Sequence, residues 1–370
     1  MGDFFQSLLG NSLNITWQMA VMWVIGGVLI YLAIKKDMEP SLLLPMGFGA
    51  ILVNLPHSGA VETLTTLFNA GISNELFPLL LFIGIGAMCD FGPVLNDPKL
   101  MLFGAAAQFG IFFTLSMARL VGFDLMDAAS IAVIGAADGP TSIVVAQQLG
   151  SKYLGAIMVA AYSYMALVPI VQPPVIRMLT TKKERLIRMP YEQRNVSKAT
   201  RILFPIVVTM VVGIIAPDAV ALIGFLMFGN LLRECGVLDS LSETAQKVLA
   251  NLITLFLGIT IAVRMQAHEF LTPDTLLILA LGLVAFVFDT AGGVMFAKLI
   301  NLFSKKKINP MIGACGISAF PMSSRVVHKM GLKEDPQNFL LMHTVGVNVS
   351  GQIASVIAGG LILSFMTKLL

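Results

Sequence analysis

The sequence predicts an all-α polytopic membrane protein made of two inverted repeats, with about ten transmembrane helices and two interrupted re-entrant segments. Three observations support this fold class: the composition, a series of apolar stretches, and breaks at the centres of two of them. Of the 370 residues, 56% are hydrophobic and 12% are charged, and the mean hydropathy is +0.85. Soluble domains contain about 25% charged residues, so the composition excludes an ordinary soluble protein.

Twelve apolar stretches are long enough to cross, or nearly cross, a hydrocarbon core of about 30 Å. Several are short and rich in glycine, which fits close packing between helices. The stretches are 17–34, 41–55, 77–89, 100–118, 126–149, 154–178, 202–216, 218–232, 248–263, 274–300, 308–328 and 338–366.

Two of these stretches, 126–149 and 308–328, are interrupted at their centres by "ADGPTS" and "CGISAFPMSSR". The first interruption places Asp138, Gly139 and Pro140 in succession. An aspartate at the bilayer centre costs about 2.5–3.5 kcal/mol on insertion scales, and the Gly-Pro pair frees backbone groups from the helix. Three residues that are each unfavourable in lipid therefore indicate a functional site.

The interrupted segments also mark an internal repeat. "LFIGIGAMCD" at 81–90 resembles "LFLGITIAVR" at 255–264, and Pro140 corresponds to Pro321, each followed by a "VV" pair. We therefore expect a first inverted repeat at 15–178, a cytoplasmic basic linker at 179–200 and a second repeat at 201–366.

The positions of Lys and Arg favour re-entrant rather than crossing interrupted segments. Seven Lys and Arg residues lie within 182–201, three lie at 305–307 and two at 35–36. Basic loops remain cytoplasmic. All three clusters share that side only if both interrupted segments enter and leave on one face, which gives ten crossings and an external N-terminus. Inverted repeats with interrupted helices that meet near the midplane are typical of secondary ion transporters.

Asp138 is the first candidate for chemistry, because a carboxylate beside freed carbonyls can bind a hard cation. The alternative is a helix cap at a kink. Arg325 lies within the second interrupted segment, where a buried guanidinium would need Asp138 or a ligand carboxylate as its partner. Alternatively, Arg325 extends to the cytoplasmic interface. Asp289 lies deep in its stretch and is expected to pair with Lys298 or to line the ion path.

The remaining polar residues are weaker candidates. Tyr164 and Asn348 fall at the middle of the stretches that follow the interrupted segments, Asp90 could cap a turn, and His343 could simply pack. The sequence has no GxxxxGK[ST] or GxGxxG motif, which excludes an ATP-driven pump in one chain. No cluster has metal-ligand spacing, and three isolated cysteines predict neither a disulfide framework nor a zinc site.

Several long motifs resemble the β subunit of the sodium-pumping biotin-dependent decarboxylases, a family that includes oxaloacetate, glutaconyl-CoA, methylmalonyl-CoA and malonate decarboxylases. The resemblance extends from about residue 75 to the C-terminus. Its motifs are "GAMCDFGPVLNDPK", "GAADGPTSI", "AAYSYMALVPIVQPP", "GFLMFGNLLRECGV", "FDTAGGVMFAKLINLF", "KINPMIGACGISAFPMSSRVV" and "NFLLMHTVGVNVSGQI".

The resemblance implies an enzyme that decarboxylates carboxybiotin delivered by a partner, consumes a proton and drives Na⁺ export. The implied partners are a carboxyltransferase/biotin-carrier subunit and a small membrane anchor subunit. We expect an oligomer in the inner (plasma) membrane of a bacterium, with no nucleic-acid partner. The alternatives are a sodium-coupled secondary transporter or Na⁺/H⁺ antiporter without biotin chemistry, and a structural membrane anchor, which intramembrane charges disfavour.

The resemblance also assigns roles to individual residues. Asp138 falls on the sodium-binding and coupling residue, and Tyr164 and Ser318 fall on residues of a second cation or proton site. The implied sets are catalytic Arg325, Tyr164 and Ser318, carboxybiotin-binding Asn309 and Arg325, and Na⁺-binding Asp138, Asn348 and Ser318.

Overall fold

The computed structural model describes residues 14–190 and 196–369, so residues 191–195 of the predicted linker lie outside the described residues. The described residues form helices, turns and bends and contain no strand. Seven helical segments are long and apolar enough to cross a membrane, and two of them, Pro98–Val121 and Asp239–Met265, are runs of consecutive shorter helices. There are eight such segments if the bent pair Ala60–Gly71 and Leu76–Met88 forms one span. The all-α polytopic fold class is thus confirmed, whereas ten crossings and the inverted repeat stay predictions.

Nineteen α-helices lie within the described residues, joined in places by 3-10 turns. They are α1 (Trp17–Lys36), α2 (Pro40–Val53), α3 (Ala60–Gly71), α4 (Leu76–Met88), α5 (Gly92–Asn96), α6 (Met101–Ala107), α7 (Phe109–Val121), α8 (Leu125–Ala132), α9 (Gly139–Gln148), α10 (Leu154–Leu179), α11 (Lys182–Arg185), α12 (Lys198–Ile215), α13 (Val220–Glu234), α14 (Asp239–Thr244), α15 (Ala250–Ile261), α16 (Ala267–Phe270), α17 (Pro273–Phe303), α18 (Met322–Glu334) and α19 (Leu341–Leu369).

The helices differ in how deeply the fold buries them. The most apolar 18-residue window of α19 is 78% buried inside the protein, whereas those of α1 and α12 are only 17% and 11% buried. Apolar side chains left uncovered by protein favour lipid as their surroundings. We therefore place α1 and α12 at the lipid-facing periphery and α19 in the centre.

The first interrupted segment doubles back on itself. Helices α8 and α9 are joined through the 3-10 turn Val133–Ala136. Asp127, near the start of α8, accepts hydrogen bonds from Ser151 Oγ (2.7 Å) and the Lys152 amide (3.1 Å), which follow α9. Tyr153 joins these ends to the start of α17 through Asp274 (2.9 Å). We call residues 125–148 the first hairpin.

The second interrupted segment doubles back at the opposite end of α17. Its start, Asn309, donates from Nδ2 to the Arg185 carbonyl (2.8 Å), and its end, Glu334, pairs with the Arg185 guanidinium (2.8 Å). Asn301, in the last turn of α17, donates to the Ile308 carbonyl (2.7 Å). We call residues 310–334 the second hairpin. The two hairpins enter from opposite ends of α17. That they re-enter a membrane, as the charge distribution predicts, stays a prediction.

Close glycine contacts hold both hairpins against the middle of α17. A Cβ at Gly135 would lie 2.7 Å from the Ala285 Cβ, and a Cβ at Gly313 would lie 2.0 Å from the Gly293 carbonyl oxygen. A Cβ at Gly135 would also lie 2.6 Å from Asp289 Oδ2. Residues four apart share one face of a helix, so Asp289, which contacts the first hairpin, and Gly293, which contacts the second, bring the two hairpins side by side. Small residues permit this backbone approach.

Two helix pairs also join the predicted halves reciprocally. Helix α2 packs on α15, and α13 packs on α4. Asn54, which follows α2, donates to the Met265 carbonyl (2.8 Å), while Asn230 in α13 donates to the Cys89 carbonyl after α4 (3.0 Å). This matched pairing is what two related halves would produce.

Candidate functional site

The centre of the site is Asp138, whose side chain is 3% exposed. Ala137 adopts a left-handed conformation (φ 53°), which ends the 3-10 turn and places Asp138 at the N-cap of α9. Its Oδ2 accepts from Thr141 Oγ1 (2.7 Å) and its Oδ1 faces the Thr141 amide (3.4 Å). The positive end of the helix dipole also favours a carboxylate here. Capping and cation binding are therefore compatible roles for one side chain.

The two hairpins meet directly beside Asp138. The Ser318 amide donates to the Ala136 carbonyl (3.0 Å), which joins the tip of the second hairpin to the tip of the first. Asp138 and Ser318, predicted separately from two distant segments, are thus brought into one buried region.

Helix α19 crosses this junction and contacts both tips. Ser355 donates from Oγ to Asp138 Oδ2 (2.9 Å). One turn earlier, the Ser318 hydroxyl donates to the Gly351 carbonyl (3.1 Å), and the Gln352 side-chain Nε2 donates to the Ser318 carbonyl. A single face of α19 therefore links the carboxylate of one hairpin to the backbone of the other.

Asn348 lies one turn further along α19 and is fully buried. Its Nδ2 donates to the carbonyls of Cys315 (3.2 Å) and Ile317 (2.7 Å), and its Oδ1 accepts from Ser324 (3.0 Å). These carbonyls belong to the break in the second hairpin, where no helical N–H reaches them. Asn348 thus fixes the tip of the second hairpin. Among the described residues, no hydrogen bond joins Asn348 to Asp138.

Asn309 occupies a different place from the other predicted residues. It is fully buried at the N-cap of the 3-10 turn Pro310–Gly316, where its Oδ1 accepts from the Met311 amide (3.1 Å). Its Nδ2 donates to the carbonyls of Arg185 (2.8 Å) and Ile187 (3.0 Å). Asn309 therefore fastens the base of the second hairpin to the basic linker, away from the tips.

Tyr164 faces α17 rather than the tips. Its hydroxyl donates to the Leu279 carbonyl, and its ring lies against Gly282. Tyr164 was predicted to bind a cation or relay a proton. In this conformation its hydroxyl is already hydrogen-bonded to a backbone carbonyl.

The expectation of a buried guanidinium at Arg325 is wrong. Arg325 is exposed on α18, as are Lys329 and Lys333 at successive turns of the same face. Nearby, burial raises the pKa of the Glu39 carboxyl, and the Arg325 charge opposes that rise. Arg325 therefore lies near the turn between α1 and α2, and it does not neutralise Asp138. The physical reason is helical periodicity, because the opposite face of α18 carries the buried Ser323 and Ser324.

The expected pairing of Asp289 with Lys298 is wrong, because Lys298 pairs instead with Glu184 (3.3 Å) and the Leu179 carbonyl (3.0 Å). The alternative, that Asp289 lines the ion path, stays a prediction. Asp289 is fully buried between the first hairpin and the start of α7, where a Cβ on Gly135 would lie 2.6 Å from its Oδ2.

Two weaker candidates have local roles. The Asp90 side chain accepts from the Gly92 amide (2.8 Å) and lies 3.8 Å from the Arg233 guanidinium, as expected for a residue that caps a turn. His343 is directed towards the Met189 carbonyl (3.4 Å).

Sequence reasoning missed four polar groups at the tips: Thr141, Tyr162, Gln352 and Ser355. A signal existed for two of them, since Gln352 and Ser355 follow Asn348 by four and seven residues and so share its helical face. Gln352 Oε1 is buried without a hydrogen-bond partner among the described residues. The site consequently offers carboxylate, hydroxyl and amide oxygens within one water-poor junction, which is the donor set that a hard cation prefers.

Comparison with known proteins gives a consistent family. The family model of the Na⁺-transporting oxaloacetate decarboxylase β subunit matches residues 18–366 of this sequence. Methylmalonyl-CoA decarboxylase subunit β of Veillonella parvula is 48% identical over 365 residues, covering 98% of both chains. Glutaconyl-CoA decarboxylase subunit β of Acidaminococcus fermentans is 48% identical over 354 residues, covering 95% of this chain and 94% of the relative. Oxaloacetate decarboxylase β chain 2 of Salmonella typhi is 44% identical over an alignment of 411 residues, covering 94% and 95%.

Proposed function

Because the chain belongs to the family of Na⁺-transporting oxaloacetate decarboxylase β subunits, we propose that it decarboxylates carboxybiotin from a partner subunit and uses this reaction to export Na⁺. Membership confirms the resemblance read from the motifs and favours a decarboxylase subunit over a plain sodium transporter. The observation that carries the site assignment is the Asp138 carboxylate at the junction of the two hairpins.

We assign Na⁺ binding to this junction because of its charge and its donors. Asp138 supplies a formal negative charge, while the hydroxyls of Thr141 and Ser355 lie within 2.9 Å of its carboxylate. Their oxygens can turn to a cation and leave their protons directed to backbone acceptors, as Ser355 already has in the Gln352 carbonyl (3.1 Å). An isolated charge in this region would be costly, so a bound Na⁺ stabilises the carboxylate.

The opposed entry of the hairpins supports transport by alternating access. Each hairpin approaches the junction from a different end of α17, so a small separation of either hairpin from α17 would open the site to one side only. Interrupted helices that meet at one ion site are the usual device of secondary transporters.

We propose that the basic face of α18 binds the carboxylate of the arriving carboxybiotin. Arg325, Lys329 and Lys333 are exposed at successive turns of α18, and the last residue of that helix, Glu334, pairs with Arg185 of the basic linker (2.8 Å). Arginine binds carboxylates through paired N–H groups. Decarboxylation breaks the N–CO₂⁻ bond, releases CO₂ and leaves a nitrogen that takes up one proton. We propose that loss of this bound anion is coupled to release of Na⁺ on the other side.

The sequence predictions for Tyr164 and Asn309 fit this scheme in modified form. The Tyr164 hydroxyl would have to leave the Leu279 carbonyl before it could relay a proton. The polar atoms of Asn309 are hydrogen-bonded to the linker and to its own turn. Asn309 therefore positions the second hairpin and does not itself hold carboxybiotin.

We further propose a carboxyltransferase/biotin-carrier subunit and a small membrane subunit as partners, in the inner membrane of a bacterium. The three relatives are subunits of decarboxylases named for three different substrates, so we infer that the substrate is set outside this chain. Uptake of radioactive sodium into inverted vesicles tests the function. We expect uptake to require the biotinylated partner and to stop with avidin. Avidin-insensitive uptake by the chain alone would instead support a plain transporter.

A further inference from the structure

Tyr162 is a buried phenol at the junction that neither the motifs nor the site assignment used. It lies on α10 two residues before Tyr164, and residues two apart in a helix point about 200° away from each other. Tyr164 therefore faces α17, while Tyr162 faces the first hairpin. A Cβ on Gly139 would lie 2.4 Å from both Cε1 and Cζ of Tyr162. The ring thus packs directly on the residue that follows Asp138.

The Tyr162 hydroxyl has no hydrogen-bond partner among the described residues, although the side chain is only 1% exposed. Buried tyrosine hydroxyls normally find a partner, and those that do not need an explanation. Cζ carries this hydroxyl and lies against Gly139, so the oxygen belongs to the surroundings of Asp138, whose charge acts on it. An oxygen atom that lacks a protein partner beside a carboxylate is available to a cation.

We propose that the Tyr162 hydroxyl is a further oxygen ligand of the transported Na⁺, a proposal that rests on the assignment of Na⁺ to Asp138. A phenol oxygen is a neutral, hard donor, so it adds coordination without adding charge. Asp138 then provides the charge, and Tyr162 closes the side of the site that faces α10.

The proposal also accounts for glycine at position 139. Its backbone is at the first turn of α9, where alanine would be conformationally acceptable. The obstacle is the Tyr162 ring, since a methyl group at 139 would overlap two of its carbons. Glycine here permits the close approach that brings the phenol to the carboxylate.

The test compares Na⁺-dependent thermal stabilisation of the full chain in detergent, with choline chloride at equal ionic strength as the reference. Ligands that bind only the folded state raise its Tm. Tyr162→Phe removes one atom that has no protein partner, so we expect an equal or higher Tm in choline. In Na⁺ we expect a smaller rise in Tm and a half-saturating Na⁺ concentration at least tenfold higher. Tyr153→Phe is the matched control, because its hydroxyl contacts Asp274 at the far end of α17 (2.9 Å). It should keep the wild-type Na⁺ response.

The outcomes separate this inference from the proposed function. If Asp138→Asn loses the Na⁺ response and Tyr162→Phe keeps it, the Tyr162 assignment is overturned and the function stands. If Asp138→Asn keeps the response, the assignment of Na⁺ to Asp138 fails, and the Tyr162 inference fails with it. Gly139→Ala gives a second test that retains the hydroxyl but displaces the ring. Should Tyr162→Phe not fold, a wild-type Na⁺ response in Gly139→Ala would overturn the inference, and a weakened response would support it.

Discussion

Replacing Ser355 with alanine removes one hydroxyl from the Asp138 junction while leaving the carboxylate in place. Ser355 Oγ lies 2.9 Å from Asp138 Oδ2 and comes from α19, the most deeply buried span. The neighbouring Thr141 bonds remain, so the side chain of Asp138 keeps its position on α9. The substitution therefore tests the contact between α19 and the first hairpin rather than the fold.

The size of the effect follows from the nature of this bond. A hydrogen bond to a charged group contributes about 1.5–3 kcal/mol. Each 1.4 kcal/mol corresponds to about a tenfold change in affinity. If Ser355 orients Asp138 or binds the cation, we expect Ser355→Ala to raise the Na⁺ concentration for half-maximal decarboxylation by about 10- to 150-fold.

The assay is Na⁺-activated decarboxylation by the reconstituted complex, with Ser350→Ala as the matched control. Ser350 is equally buried on the same helix, but its hydroxyl donates to the carbonyls of Leu100 (2.9 Å) and Val347 (2.6 Å). We expect the control to change stability without changing the Na⁺ requirement. Equal Na⁺ requirements for wild type and Ser355→Ala would refute the assignment of Ser355 to the ion site.

Three further variants test other parts of the structure. Gly293→Ala places a methyl group 2.0 Å from a carbonyl of the second hairpin, so we expect a loss of about 1–3 kcal/mol in stability from overpacking, visible as a lower Tm; an unchanged Tm would contradict the contact. Arg185→Gln leaves the largely buried Glu334 without its partner, and we expect faster hydrogen exchange in the second hairpin, whereas wild-type exchange would mean that this pair does not hold the hairpin. Gln at both Lys182 and Lys183, which are exposed, should weaken docking of the biotin-bearing partner in a salt-dependent way, and unchanged docking would leave these lysines with a role in topology alone.

The sequence was most informative where the chemistry is local. Asp138, Gly139 and Pro140 are consecutive, so the cost of placing them in lipid could be judged without knowing the fold. The charge distribution also predicted re-entrant segments; the structure places both ends of each hairpin together, while their re-entry into a membrane stays a prediction. In both cases the signal lies within a single segment or in a simple count of charges.

The sequence was least informative where a side chain depends on a neighbouring helix. Ser355 contacts Asp138 only because α19 crosses between the hairpins, and no motif records that crossing. Arg325 was expected to be buried because its segment is apolar, yet helical periodicity places it on the exposed face of α18. Pairing of Asp289 with Lys298 was one of two alternatives, suggested by proximity along the chain, but Lys298 pairs with Glu184 and Asp289 lies against the first hairpin.

The central claim is that the carboxylate at the hairpin junction binds the exported Na⁺. The most direct measurement is decarboxylation-driven uptake of radioactive sodium into inverted vesicles by Asp138→Asn. Asp127→Asn is the matched control, because Asp127 is also 3% exposed but bonds to Ser151 at the base of the first hairpin. We expect Asp138→Asn to insert and assemble normally but to accumulate no sodium, while Asp127→Asn continues to accumulate it. Near-normal uptake by Asp138→Asn would show that this carboxylate does not bind the exported ion.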